Sequence, residues 1–272
     1  MKKFQVHRTT DLKTFISEVL GVTKNKAKRI IDGRSVFVNG KRIWIASHIL
    51  KKGDNVEIPY VEEYPNWNIE ESLIYEDGFI IAVQKPPFLE SEGKKGSVEY
   101  LLKEYISKKV RAIHRLDRET SGVIIFAKND FVFNRFKELW HKKEITKIYL
   151  SISFGEARFK KKVVNLPIEK KYAKSIFLTK KISKGFTFFE IEIKTGRKHQ
   201  IRIHSSKIRH PIVGDKIYGL KNIEDPLVKG VRRQLLHAYR LRFLHPFTNK
   251  ILEIKAPIYQ DFYNFGKLVK LL

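Results

Sequence analysis

Leu12, Phe15, Ile16, Val19 and Leu20 recur at the i, i+3, i+4, i+7, i+8 spacing that lays one apolar stripe along a helix, with Thr10 or Asp11 available as its cap. A second, shorter helix is expected after Thr23, burying Ala27, Ile30 and Ile31 and exposing Lys24, Lys26, Lys28 and Arg29, with Arg34 just beyond it. Residues 35–38 and 41–45 then read as strands joined through Asn39-Gly40, a dipeptide that tolerates the positive φ angles of a two-residue hairpin turn. Residues 56–58 supply a third strand. These elements make a first module over residues 1–60, an α/β unit in which helices and a small sheet share one core.

Residues 61–68 are rich in Glu, Pro and Asn, have no apolar period and are expected to form a linker. From residue 69 to 272 the pattern changes to strands joined by short turns. Residues 79–83 and 123–127 are continuous apolar runs, whereas 187–194 alternates, with Phe189, Ile191 and Ile193 facing one way and Glu190, Glu192 and Lys194 the other. Further strands are expected at 147–153, 236–243 and 251–256. Asp130 is placed to cap a helix that buries Val132, Phe133, Phe136, Leu139 and Trp140. The expected fold class of this second module is α+β, with a mainly antiparallel mixed sheet.

The 272-residue chain has no cysteine, which excludes disulfides, thiolate metal sites and cysteine nucleophiles. Lys and Arg number 55 against 29 Asp and Glu, a formal charge of +26 spread along the chain, so a polyanionic partner is expected. No apolar run approaches the roughly 20 residues of a spanning helix. The N-terminus is basic and polar without an apolar stretch behind it, so a cytoplasmic protein without a leader peptide is expected. A monomer without membrane contact is expected as well.

The densest polar cluster is His114-Arg115-Leu116-Asp117-Arg118-Glu119-Thr120-Ser121-Gly122, which runs into the apolar stretch 123–127. A carboxylate between two arginines is biased towards its ionised form, and an ionised carboxylate can act as a nucleophile. Composition alone favours a charged surface loop. His199, His204 and His210 lie close in sequence, but spacings of five and six do not place ligands on one helical face and no acidic residue accompanies them, so no metal is expected.

The wording of these segments is more specific than their composition. Residues 114–122 match the signature of the RluA-type pseudouridine synthases, which modify uridines in ribosomal and transfer RNA, and the resemblance extends over nearly all of residues 69–272. It implies that Asp117 is the catalytic nucleophile, that Arg115 and His114 meet the RNA, and that Tyr149 lies against the flipped uracil. It also implies a basic residue paired with Asp117, from the segment Thr195-Gly196-Arg197-Lys198-His199-Gln200-Ile201-Arg202, with Arg202 first and Arg197, otherwise an RNA-binding residue, as the alternative. His210 to Gly219 and Leu236-His237-Ala238 stand in the family's order and imply architectural positions. The family's Lys-Pro-Ala-Gly turn is replaced by Lys85-Pro86-Pro87-Phe88, where loss of the glycine restricts the backbone. Over residues 10–58 the order helix, basic helix, Asn-Gly hairpin resembles a small RNA-binding domain first described in a small-subunit ribosomal protein. That second resemblance implies phosphate contacts for Lys24, Lys28, Arg29 and Arg34.

Together these imply an enzyme that isomerises specific uridines in structured RNA, ribosomal RNA first and transfer RNA second, without a cofactor. The alternative is a non-catalytic RNA-binding or ribosome-assembly factor on the same fold, which would need the basic surface but not Asp117. A metal-dependent nuclease is disfavoured because the sequence shows no clustered carboxylates.

Overall fold

The computed structural model describes residues 2–58, 67–142, 144–220 and 225–272, with only the backbone of Lys26, Arg29 and Pro226. The expected linker over residues 61–68 falls, apart from Trp67 and Asn68, outside the described residues.

Two compact units divide the chain, and the smaller combines Met1–Pro65 with Gly214–Arg232. Its first part comprises β1 (Lys2–Gln5), β2 (Thr10–Asp11), α1 (Leu12–Leu20), α2 (Lys24–Asp32), β3 (Val36–Val38), β4 (Lys41–Ile43), β5 (Ile49–Leu50) and β6 (Asn55–Ile58). Asp11, the second of the two possible caps, accepts from the Thr14 N–H at 3.0 Å, and Leu12, Phe15 and Ile16 are buried against Ala27, Ile31, Val36 and Val56. Asn39 and Gly40 have φ of +49° and +76° and close the β3–β4 hairpin. The strand β1, for which residues 2–5 show no apolar alternation, pairs antiparallel with β6 and completes a sheet in the order β1-β6-β3-β4. The returning segment is tied to this unit by Arg42, which donates to the Asp215 carbonyl at 3.3 Å, and by a 3.2 Å Lys229–Glu57 ion pair. Asp215 also accepts from the N–H groups of Ile217 and Tyr218, forming a turn of its own.

The larger unit is Asn66–Val213 with Arg233–Leu272. It runs α3 (Ile69–Ser72), β7 (Leu73–Glu76), β8 (Ile80–Lys85), α4 (Val98–Tyr105), β9 (Arg111–Ala112), β10 (Ser121–Ala127), α5 (Asp130–Lys142), β11 (Thr146–Phe154), β12 (Lys161–Val164), β13 (Ser175–Ser183), β14 (Phe186–Ile193) and α6 (Gln200–Lys207). After the returning segment, which carries α7 (Pro226–Lys229), it ends with β15 (Leu236–Leu244), β16 (Ile251–Lys255) and α8 (Gln260–Leu268). One sheet follows the order β12-β13-β14-β11-β15-β10-β8-β7, with β16 beside β15 and β9 beside β10. Its pairings are antiparallel except for β10 with β15, which is parallel. The fold is therefore α+β with a mixed, mainly antiparallel sheet.

Burial follows the alternation in β14, where Phe189, Ile191 and Ile193 are buried and Glu190 and Glu192 are half-exposed. The cap of α5 differs from expectation. Asn129 accepts from the Val132 N–H at 2.9 Å, and Asp130 instead pairs with Arg111 at 2.7 Å, because Asn129 stands one residue earlier where its side chain reaches the open N–H.

Candidate active site

Asp117 sits in a turn closed by the Thr120 N–H donating to its carbonyl at 2.9 Å, just before β10. The turn is held on both sides by buried groups. Ser91, wholly inside the fold, accepts from the Leu116 N–H at 3.0 Å and donates its hydroxyl to the Leu116 carbonyl at 2.9 Å. The fully buried Lys85 at the end of β8 donates to the carbonyls of Pro86, Leu89 and Arg118 at 2.8, 2.8 and 3.0 Å. Burial pushes its pKa well below the usual lysine range, with the nearby Arg233 charge acting in the same direction. Phe88 has a φ of +68° at the position of the family turn's glycine. Phe88 thus takes the left-handed conformation that glycine adopts most easily, at a cost of about 1–2 kcal/mol. The Phe88 carbonyl accepts from Arg118 Nε at 3.1 Å, joining this turn to the one that carries Asp117.

Opposite stands the loop leading into α6. Gln200, buried at the first position of that helix, uses both ends of its amide. Its oxygen accepts from the Thr195 hydroxyl at 2.6 Å and the Arg197 N–H at 3.1 Å, and its nitrogen donates to the Lys174 carbonyl and Ser175 Oγ at 3.0 and 2.9 Å. So anchored, the loop presents His199 with φ of +54°. Three residues on, Arg202 directs Nη1 to Asp117 Oδ2 at 3.2 Å across 85 positions of sequence. The Arg202 side chain is only 6% exposed and that of Asp117 27%, so the guanidinium is withdrawn from water while the carboxylate keeps one open side. His199 Nε2 lies 3.9 Å from Asp117 Oδ1. Arg197, the other possible partner, donates instead to the Tyr172 carbonyl at 3.0 Å. His204 and His210 each bind a backbone carbonyl, of Leu166 and Phe154.

Tyr149 supplies the third side. In the register of the sheet it stands opposite Ala238 on β15, which pairs with Gly122 on β10. Gly122 has a φ of +120°, and a Cβ there would come within 2.2 Å of the Ala238 carbonyl oxygen, so only glycine fits where β10 meets β15 in parallel. The Tyr149 ring is half-buried against a cluster containing Leu116 and Ala238. Burial, reinforced by the negative charge of Asp117, raises the phenol pKa above its usual value. Tyr149 therefore rests protonated, as a hydrogen-bond donor.

A carboxylate is thus held by an arginine, with the ring of a tyrosine supplied by β11, and comparison with known proteins identifies the family. The RNA pseudouridylate synthase family matches residues 79–207 and the S4 domain family residues 12–56. The chain is 32% identical to the ribosomal large subunit pseudouridine synthase C of Buchnera aphidicola (subspecies Acyrthosiphon pisum), covering 92% of this chain and 90% of that one. It is 30% identical to the protein of the same name from Vibrio vulnificus, over 89% and 87% of the two chains. The chain belongs to the RNA pseudouridine synthase family. It is an isomerase acting on uridine in RNA. The fold is also that of human RNA pseudouridylate synthase domain containing 4, with a TM-score of 0.64 at 19% identity over 74% of this chain and 94% of that one.

The remaining residues expected at the synthase's site are placed differently from one another. Arg115 is 75% exposed, 3.7 Å from Glu92, and lines an open cleft of about 360 Å³ together with Arg111 and Phe133. His114 is committed within the fold. Its Nε2 accepts from the Ile125 N–H at 3.1 Å, and its ring stacks on Trp140 at 4.8 Å. Burial, with the Lys147 charge beside it, lowers its pKa to about 3. Protonation would require a proton on the nitrogen to which a backbone N–H already points. Because the folded pKa lies below the unfolded value of about 6.5, His114 contributes stability that is present above pH 6.5 and is lost as pH falls towards about 3. Melting temperature followed from pH 8 to pH 4 is expected to fall less steeply in His114→Phe than in the wild type, and parallel curves would show that His114 is not linked to this loss.

Lys24 and Lys28 are exposed on α2, whereas the side chain of Arg29 lies outside the described residues. Arg34 follows α2 with a φ of +52° and stacks its guanidinium over Trp44 at 5.4 Å. The sequence assigns no role to Ser91, Lys85, Gln200 or Arg233, although Lys85 and Gln200 lie within matched segments. Its pattern does not mark these roles, since each residue binds a backbone group of a segment distant in the chain.

Proposed function

We propose that the synthase isomerises uridines of ribosomal RNA, with Asp117 as its reactive carboxylate. The observation that carries this is the Arg202–Asp117 contact, in which one almost buried guanidinium holds a carboxylate whose other side stays open. Such a contact keeps the charge available in a site that RNA will desolvate. A purely RNA-binding factor would not need a carboxylate there. The ribosomal substrate is supported by relatives whose names assign them to the large ribosomal subunit.

In the reaction the bond from C1′ to ring N1 breaks, uracil turns, and C1′ bonds to C5. The proton on C5 is lost and N1 gains one, so no electrons, water or cofactor enter the balance. Asp117 acts on the sugar or the ring while Arg202 holds its charge. Tyr149 stacks on the extruded uracil and offers its hydroxyl proton. Arg115, on an exposed arm beside the cleft, enters the RNA as the uridine leaves. Arg197 meets the backbone, and His114 is left out of the RNA contacts. In the smaller unit Lys24, Lys28, Arg29 and Arg34 bind phosphates, so residues 1–60 govern affinity and site choice and residues 69–272 the chemistry. The protein works as a cytoplasmic monomer, and a larger mass by light scattering would contradict that.

The decisive experiment maps pseudouridines in ribosomal and transfer RNA from cells lacking this protein. One or a few ribosomal positions are expected to revert to uridine and to be restored by the full chain. Reversion confined to transfer RNA would overturn the substrate assignment. A version lacking residues 1–60 is expected to bind ribosomal RNA with a weaker salt dependence, since fewer phosphates are neutralised, and an unchanged slope would remove that unit from RNA binding.

A further inference from the structure

Arg233 is entirely buried yet uses all three of its nitrogens. Nε and Nη2 grip both oxygens of Asp261 on α8 at 2.6 and 2.7 Å, in the paired geometry that suits a guanidinium to a carboxylate. Nη1 donates to the carbonyls of Glu119, Gln234 and Leu236, each at 3.2 Å. Glu119 is two residues after Asp117 in the same closed turn. The preceding carbonyl, that of Arg118, is bound by Lys85, and Gln234, the neighbour of Arg233, donates to Thr120 Oγ1 at 3.3 Å. Consecutive peptide groups behind Asp117 are thus held by buried cations.

Two cations withdrawn from water in one place are costly, and apolar residues of similar size would often stabilise a core as well or better. Their donors converge on the turn whose orientation decides where the Asp117 carboxylate points. From this convergence we infer that Arg233 is a positioning residue for Asp117, acting through the Glu119 carbonyl and itself oriented by Asp261. The inference rests on the reading of Asp117 as the reactive carboxylate. Arg233 touches neither Asp117 nor the RNA. It sets the turn to within the fraction of an ångström on which reactivity depends, since misplacement by about 1 Å is enough to cost on the order of a hundredfold in rate.

The test compares Arg233→Lys, Asp261→Asn and Asp117→Asn with the wild type, using ribosomal RNA from cells lacking the protein. Single-turnover rate is measured at saturating enzyme and normalised to the folded fraction, alongside RNA Kd and Tm. Lysine keeps the charge but cannot grip Asp261 and reach Glu119 together. Arg233→Lys is expected to slow the reaction by about 30- to 100-fold with Kd within about twofold. Asp261→Asn, which alters a half-exposed side chain, is expected to slow it by about fivefold. Loss of Tm with a normalised rate within twofold of wild type in both variants would show a structural role only and overturn the inference. Should Arg233→Lys not fold, an unchanged rate in Asp261→Asn would overturn it alone. Full activity in Asp117→Asn would instead bring down the underlying reading.

Discussion

Asp117→Asn is expected to reduce uridine conversion by about 10⁴-fold or more while RNA affinity stays within about twofold. The amide matches the carboxylate in shape, so the turn held by Ser91, Lys85 and the Thr120 N–H is kept. It offers neither the negative charge nor the lone-pair reactivity of the carboxylate. Binding survives because the charge that attracts RNA is spread over 55 Lys and Arg, and removing one carboxylate weakens none of it. Pseudouridine measured in unmodified ribosomal RNA after a single turnover gives the result directly. Conversion at more than a tenth of the wild-type rate would exclude Asp117 from the mechanism. In the same assay Tyr149→Phe keeps the aromatic ring and removes the hydroxyl, so a fall of about 10²-fold with unchanged Kd is expected, and an undiminished rate would leave the hydroxyl without a catalytic part.

The second large effect is expected at Arg202. Arg202→Met leaves a methionine of similar length in a nearly closed space and deprives Asp117 of the guanidinium at 3.2 Å. Breaking a buried pair by removing one partner costs about 3–5 kcal/mol. Because Asp117 is 27% exposed, water replaces part of the lost interaction, so we expect about half that cost in stability and, separately, a 10- to 100-fold fall in kcat as the carboxylate loses its orientation. Arg202→Lys restores the charge but not the planar fork and should recover part of the rate. If Arg202→Met and Arg202→Lys lose the same activity, the positive charge is irrelevant. If neither loses any, the contact is structural. The stability of both variants, followed by thermal melting, separates a rate effect from simple loss of folded protein.

Much of the fold and part of the site were legible from short-range patterns. The stripe from Leu12 to Leu20, the Asn39-Gly40 turn and the alternation in β14 each record a local rule, in which burial on one face repeats with the period of the backbone. The segment α6 escaped such reading because Gln200, Ile201, Arg202, His204 and Ser205 are all buried, so no polar face marks a helical period. The edge strand β1 escaped it because residues 2–5 are mostly exposed.

The family, and Asp117 as the candidate carboxylate, followed from residues 114–122 as written, and the excess of positive charge pointed to a polyanionic partner. The choice between Arg202 and Arg197 did not, since both lie in one basic segment and either is long enough to reach a carboxylate. Gln200 decides it, by fixing where the helix starts and which arginine faces Asp117. In the same way the return of residues 214–232 to the smaller unit and the hold of Lys85 and Arg233 on the turn behind Asp117 depend on pairings between distant segments. A linear pattern records what each residue must do locally. Which backbone carbonyl a buried cation meets is settled only when sheet register brings the two together.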